Sequence, residues 1–259
     1  MDNEILVKIR TMATAVNAAW KRVSAKEFEL LEARGRDYDY RSDPEYKALE
    51  HVFNLLLCEE RLLISQAIRA NLSNMGIEDM SVTGVLHLSE NERTPRGIRR
   101  RDGQEAGRVE MLLSDLCGLC SEGLAVKLGV DREAVSFDIN IEKDGMVVGR
   151  IDAAGVFDFL KAPSLKTALA WKVATDGGRT RLIEGFDPDT AGRLLLETIR
   201  THGTDKPTFF GPYFDALKRI FVCEKTSQSK DGYLSAAIPL WRVATRELGQ
   251  EHEGYEFWC

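Results

Sequence analysis

Residues 134–186 constrain the fold more than any other stretch, because their pattern is the one expected of a sheet. Val135, Phe137, Ile139 and Ile141 alternate with Ser136, Asp138, Asn140 and Glu142, the period-two signature of a half-buried strand. Lys143-Asp144-Gly145 interrupts the alternation and residues 146–153 resume it. A three-residue loop with Gly145 in the left-handed region gives a consistent register. It sets Phe137 opposite Ile151, Ile141 opposite Val147, and Asp138 opposite Arg150 as a cross-strand ion pair. A second hairpin is expected downstream. Leu169, Trp171 and Val173 alternate with Ala170 and Lys172, residues 175–178 turn the chain, and residues 181–186 return it. The sum is a four-stranded, mostly antiparallel meander with one apolar face, which helices must cover.

The flanking sequence supplies those helices. Over residues 3–34, Ile5, Ile9, Met12, Val16, Ala19 and Val23 recur at spacings of four and three, a heptad-like seam with Trp20 beside it. A polar turn follows. Asp43 then reads as a helix cap and Pro44 as the first helical residue. The second helix runs to about Met75 with Gly76 as its stop, and its stripe is Tyr46, Leu49, Phe53, Leu56, Leu63, Ala67 and Ala70. Residues 105–128 read as a helix with Val109, Leu112, Leu113, Leu116, Cys120 and Leu124 inward. Helices are also expected at 188–202, at 213–222 and from 235. The fold class is therefore α+β. An N-terminal antiparallel helical hairpin occupies 1–76, a short strand and arginine-rich linker 77–104, and an α+β domain flanked by helices 105–259.

Composition narrows the partners. Hydrophobic residues make up 44% and charged residues 29% of 259, an ordinary globular balance. A net charge of −6 argues against a protein that coats nucleic acid broadly, though not against a local basic patch. Five scattered cysteines in a chain long enough to bury a core predict free thiols in a reducing cytoplasm. Met1 to Arg10 carries Asp2, Glu4, Lys8 and Arg10, which does not read as a secretory leader. No stretch is apolar for the ~18 residues of a membrane helix, so no membrane partner is expected. Apolar width left over on the helical hairpin points to a protein partner or a second copy as a homodimer.

The local basic patch is residues 89–104, with Arg93, Arg96, Arg99, Arg100 and Arg101 around Thr94-Pro95 and Gly97. It reads as an exposed linker or loop whose arginines would contact phosphates or another anion, nucleic acid included. No aromatic residue lies in it, so it has nothing with which to stack bases.

Catalytic patterns are sparse. Cys117-Gly118-Leu119-Cys120 is a CxxC, but no second CxxC or HxxxH completes a zinc site. The pair falls in mid-helix rather than at a helix start, so core cysteines are expected. His51, His87, His202 and His252 lie in different elements with no ligand-spaced neighbour. There is no GxSxG, P-loop or GxGxxG. No cofactor and no metal site is expected.

One pattern does resemble a known family. Val148-Gly149-Arg150-Ile151-Asp152 followed by Leu169-Ala170-Trp171-Lys172 is similar to the core of the restriction-endonuclease-like, PD-(D/E)XK nucleases, over about 25 residues. The resemblance implies an aspartate on one strand and an acid-x-lysine triplet on the next, the acids holding a divalent metal through hard oxygen ligands. Carried over, Asp152 would be a metal ligand and Lys172 the lysine that positions water. Ala170 stands where the second acid belongs, and Glu110 or Glu122 would be the helical glutamate. The expected function is a cytoplasmic binding or assembly protein without catalytic activity; the alternative is a degenerate nuclease-like domain acting on nucleic acid.

Overall fold

The structure is a computed structural model, and it describes residues 3–94, 97–101, 105–130, 136–151, 157–161, 164–176, 179–203, 210–223 and 232–250. The chain divides into two compact units, Met1–Ala67 and Ile68–Cys259.

The first unit holds helix α1 (Asn3–Arg34) and most of helix α2 (Pro44–Asn74), with a single 3-10 turn, Tyr40–Ser42, between them. The cap reads as the sequence implies. The Asp43 carboxylate accepts the backbone N–H groups of Glu45 at 2.9 Å and Tyr46 at 3.0 Å, satisfying two donors that a helix start leaves open. Val16, Ala19 and Val23 of the α1 seam are buried, while Ile9 and Met12 are half-buried. Near the turn, Val23, Leu30 and Tyr46 form a core with Tyr38, Tyr40, Leu49 and Phe53 around it. Lys26 bridges the two helices, 2.6 Å from Glu45 and 3.1 Å from Glu29. Hydrogen bonds to Glu45 and then Glu29 raise its pKa. Trp20 lies against Phe53, ring centroids 5.4 Å apart, and keeps half of its surface in water.

The second unit holds the sheet. Its strands are β1 (Ser81–Thr94), β2 (Gly97–Arg101), β3 (Glu105–Leu112), β4 (Ser136–Lys143), β5 (Met146–Ile151) and β6 (Phe157–Phe159). They lie in the order β2-β1-β4-β5-β6, and β3 also pairs with β1. Every pairing is antiparallel. Helix α3 (Leu113–Lys127) packs on β1 and β4. Leu86, Ile139, Ile141 and Ile151 of the sheet and Leu113, Leu116 and Leu124 of α3 are fully enclosed, each contributing about 1.5–3 kcal/mol by leaving water. Gly84 permits this approach, since a Cβ there would stand 2.7 Å from Leu116 Cδ1.

The remaining elements are α4 (Leu165–Thr175), β7 (Thr180–Leu182), α5 (Pro188–His202), α6 (Phe210–Ile220), β8 (Phe221–Cys223) and α7 (Gly232–Glu247). Helices α4 to α7 pack among themselves, and α4 and α7 touch β6. Trp171 of α4 fills that junction, with ring centroids 5.6 Å from Phe157 and 6.3 Å from Phe159. Tyr213 of α6 and Trp241 of α7 form a second buried aromatic pair at 5.4 Å.

The architecture is α+β as expected, with an N-terminal pair of packed helices and an antiparallel sheet, but several elements differ in detail. The sheet has more than four strands. Residues 165–175 are a helix, where the alternation of residues 169–173 predicts a strand. Leu165, Ala168, Leu169, Ala170, Trp171 and Ala174 are all buried; a helix enclosed on most sides loses the single apolar stripe by which helices are recognised. Residues 105–112 are a strand, and the helix starts only at Leu113. Gly107, a poor helix former, accounts for part of this, because its lack of a side chain lets Leu128 approach a Cβ position to 3.0 Å. The β4–β5 turn has two residues, Asp144 and Gly145, both at positive φ. Ile141 and Glu142 flank a register shift, so Ile139 faces Ile151 and Asn140 faces Arg150. A bulge thus restores the facing that a longer loop would otherwise supply. The return strand β7 pairs with β8. Finally, the described residues of the expected arginine-rich linker, up to Thr94 and from Gly97 to Arg101, are strand.

Candidate functional site

Two parts of β1 differ in what holds them. Residues 81–87 pair with β3 on one side, and 83–89 pair with β4 on the other. Beyond Ser89 the strand has one partner, β2. The register there is Glu90↔Arg101, Asn91↔Arg100, Glu92↔Arg99, Arg93↔Ile98 and Thr94↔Gly97. Five residue pairs at about 3.3 Å per residue make a two-stranded ribbon about 17 Å long. Of the expected anion-contact residues, Arg93 lies on β1, and Arg99, Arg100 and Arg101 lie on β2. Arg96 lies outside the described residues. The expectation of a loop fails for a physical reason. The charge run is long in sequence, but folding sets Glu92 opposite Arg99 and Glu90 opposite Arg101, pairs that favour strand association. The pairing reaches Thr94 opposite Gly97, so the described residues of the segment form an antiparallel hairpin rather than a linker.

The residues of the nuclease resemblance fall otherwise. Asp152 lies outside the described residues. Lys172 lies on helix α4 rather than on a strand, with its Nζ 2.9 Å from Asp176 Oδ1. Asp176 in turn accepts a hydrogen bond from Thr180 Oγ1, so this set ties the end of α4 to β7. Ala170 is fully buried on the same helix. Glu110 is exposed on β3, and Glu122 is a residue of α3. Among the described residues no group of three or more His, Cys, Asp and Glu side chains is disposed to hold a metal ion.

The structure also assembles a polar cluster that sequence patterns do not announce. Ser114 is completely buried. Its hydroxyl donates to Asp79 Oδ2 at 2.6 Å, and its backbone N–H donates to Asp79 Oδ1 at 3.2 Å. Arg69 Nε donates to the Ser114 hydroxyl at 3.0 Å, and the Arg69 guanidinium pairs with the Asp115 carboxylate. The preceding N–H, of Leu113, donates to the Met80 carbonyl at 2.8 Å. The start of α3 is thus capped from outside, by the two residues before β1, since Leu112 makes no side-chain cap of its own. A serine beside a carboxylate and an arginine suggests a nucleophile, but a hydroxyl with no exposed surface meets no substrate. The cluster is a latch that ties Arg69 of α2 and the Asp79-Met80 segment before β1 to the start of α3. The legible signal for it is the acid at Asp79 just before a strand, together with Ser114-Asp115 at a helix start.

The CxxC lies next to this latch. Cys117 is buried, and that burial pushes its thiol well above the ordinary range, which suppresses the thiolate that redox chemistry and metal binding need. Cys120 adopts φ 54° and ψ −174° inside α3, a rare backbone state for a residue with a side chain. Its Sγ lies 3.3 Å from the Cys117 carbonyl. Cys58, Cys117, Cys120 and Cys223 are free thiols.

Comparison with known protein families, with curated proteins and with solved structures finds no match to this chain. No helix among the described residues is long and apolar enough to cross a membrane. The ribbon and the latch are therefore read on their own chemistry.

Proposed function

We propose that this chain is a binding protein without catalytic activity of its own, that its contact element is the β1–β2 ribbon, and that its partner is a polyanion. The observation that carries this reading is the ribbon's departure from the sheet, with five arginines and two glutamates over residues 89–101 of a chain whose net charge is −6. An acidic protein repels polyanions as a whole, so a concentrated basic projection is the place where one would dock. Guanidinium groups suit the task because they stay charged and bind phosphate or sulfate through paired N–H donors. The free thiols fit a reducing compartment such as the cytoplasm.

The binding reading is preferred to the nuclease-like one because Lys172 is engaged by Asp176 on a helix. The test is retention on immobilised heparin, a polyanion without bases. The wild-type chain should be retained at low salt, and changing Arg93, Arg99, Arg100 and Arg101 together to glutamine should abolish retention. Equal elution of the two proteins would remove the ribbon as the contact element.

A further inference from the structure

The cross-strand register divides the ribbon's charge unequally between its two faces. Residues directly opposite each other in an antiparallel pair share a face, and successive residues alternate. One face therefore carries the positions Glu90, Arg101, Glu92, Arg99, Thr94 and Gly97, and the other carries Asn91, Arg100, Arg93 and Ile98. The first face is neutral by composition, with each glutamate directly opposite an arginine. The second carries two positive charges and no acid. Arg93 and Arg100 are diagonal neighbours there, about 7–8 Å apart in backbone position.

We infer that the ribbon binds double-stranded nucleic acid through the Arg93–Arg100 face alone, an inference that rests on the polyanion reading above. Three observations select this partner. The charges that the register leaves without an acidic residue directly opposite belong to arginines, which pair with phosphate. The ribbon has no aromatic residue with which to stack unpaired bases, and base stacking is what single-strand binders add to charge. A two-stranded ribbon has the cross-section that the major groove of a duplex admits, and Asn91 on the same face has an amide able to donate and accept at a base edge. Arg99 and Arg101, opposite Glu92 and Glu90, serve the hairpin itself.

The test is the salt dependence of affinity for a 20-base-pair DNA duplex, measured by fluorescence anisotropy with the full chain. Each phosphate contact contributes about −0.9 to the slope of log K against log salt. Changing Arg93 and Arg100 to glutamine should flatten the slope by about 1.8, and changing both to lysine should restore it. Changing Arg99 and Arg101 to glutamine, or Glu90 and Glu92 to glutamine, should leave the slope within about half of one contact, because those positions lie on the other face. Equal flattening by the two arginine pairs would overturn the one-face assignment without touching the polyanion reading. So would affinity for the single strand of the same sequence, or for polyglutamate, equal to that for the duplex. Loss of heparin retention would instead fault the reading beneath it.

Discussion

The two halves of β1 are one continuous strand with opposite tasks. From Thr83 to His87 it lies between two other strands, and Leu86 and Val85 have essentially no exposed surface. From Glu90 to Thr94 it has a single partner strand, and its positions and those opposite are charged or polar except for Gly97 and Ile98. A strand with one partner makes one ladder of hydrogen bonds instead of two, so fewer of its groups are committed to the sheet. A strand with two partners and a helix above it has more of them committed. The lesson is that the sheet end of β1 fixes where the ribbon starts and which way it leaves, while the ribbon end can change without unfolding the sheet.

The comparison can be broken at its buried end first, where the effect is largest. Leu86→Ala should cost about 2–5 kcal/mol of unfolding free energy, the range for a truncated core leucine, as read by denaturant melts. A cost below about 1 kcal/mol would mean that the inner half is not the foundation described. The latch should weigh less. Asp79→Ala leaves the Ser114 N–H and hydroxyl without their acceptor in a buried site, at a cost of about 1–3 kcal/mol. An unchanged melt would show that α3 starts without external capping.

A smaller effect is expected at alkaline pH. Burial holds both Cys117 and Tyr213 protonated in the folded state, well above their ordinary values of 9.0 and 10.0. Above about pH 9 the unfolded chain releases protons that the folded chain keeps, so stability should fall as pH rises. It should be fully present below that value. Cys117→Ala should delay the onset towards that of Tyr213, and an identical profile in wild type and variant would contradict the burial of the thiol.

Much of this fold was legible where a single signal acted alone. Asp43-Pro44 and Asp187-Pro188 each mark a helix start, and both carboxylates accept a backbone N–H there. The α1 seam was equally plain, and so was the existence of the β4–β5 hairpin, though its loop length and cross-strand partners were not, because a bulge between Ile141 and Glu142 shifts the register. Legibility failed where tertiary contact replaced the local signal. Helix α4 is enclosed by β6, α5 and α7, so its apolar residues run without a stripe, and the residues Leu169 to Val173 mimic a strand. The ribbon failed differently. Its arginines were visible, but their balance against Glu90 and Glu92 exists only in the cross-strand register. The latch needed contacts across 35 and 46 residues of sequence, which no periodicity reports.

The ribbon's independence from the fold is tested most directly by taking two readouts on one variant. The chain with Arg93, Arg99, Arg100 and Arg101 all changed to glutamine should unfold within about 2 kcal/mol of wild type, the loss of two cross-strand Glu–Arg pairs at up to about 1 kcal/mol each. It should also lose the salt-dependent part of its duplex affinity contributed by Arg93 and Arg100. If that variant keeps wild-type affinity and slope, or if it loses binding only because the sheet unfolds, β1 is not divided in the way described.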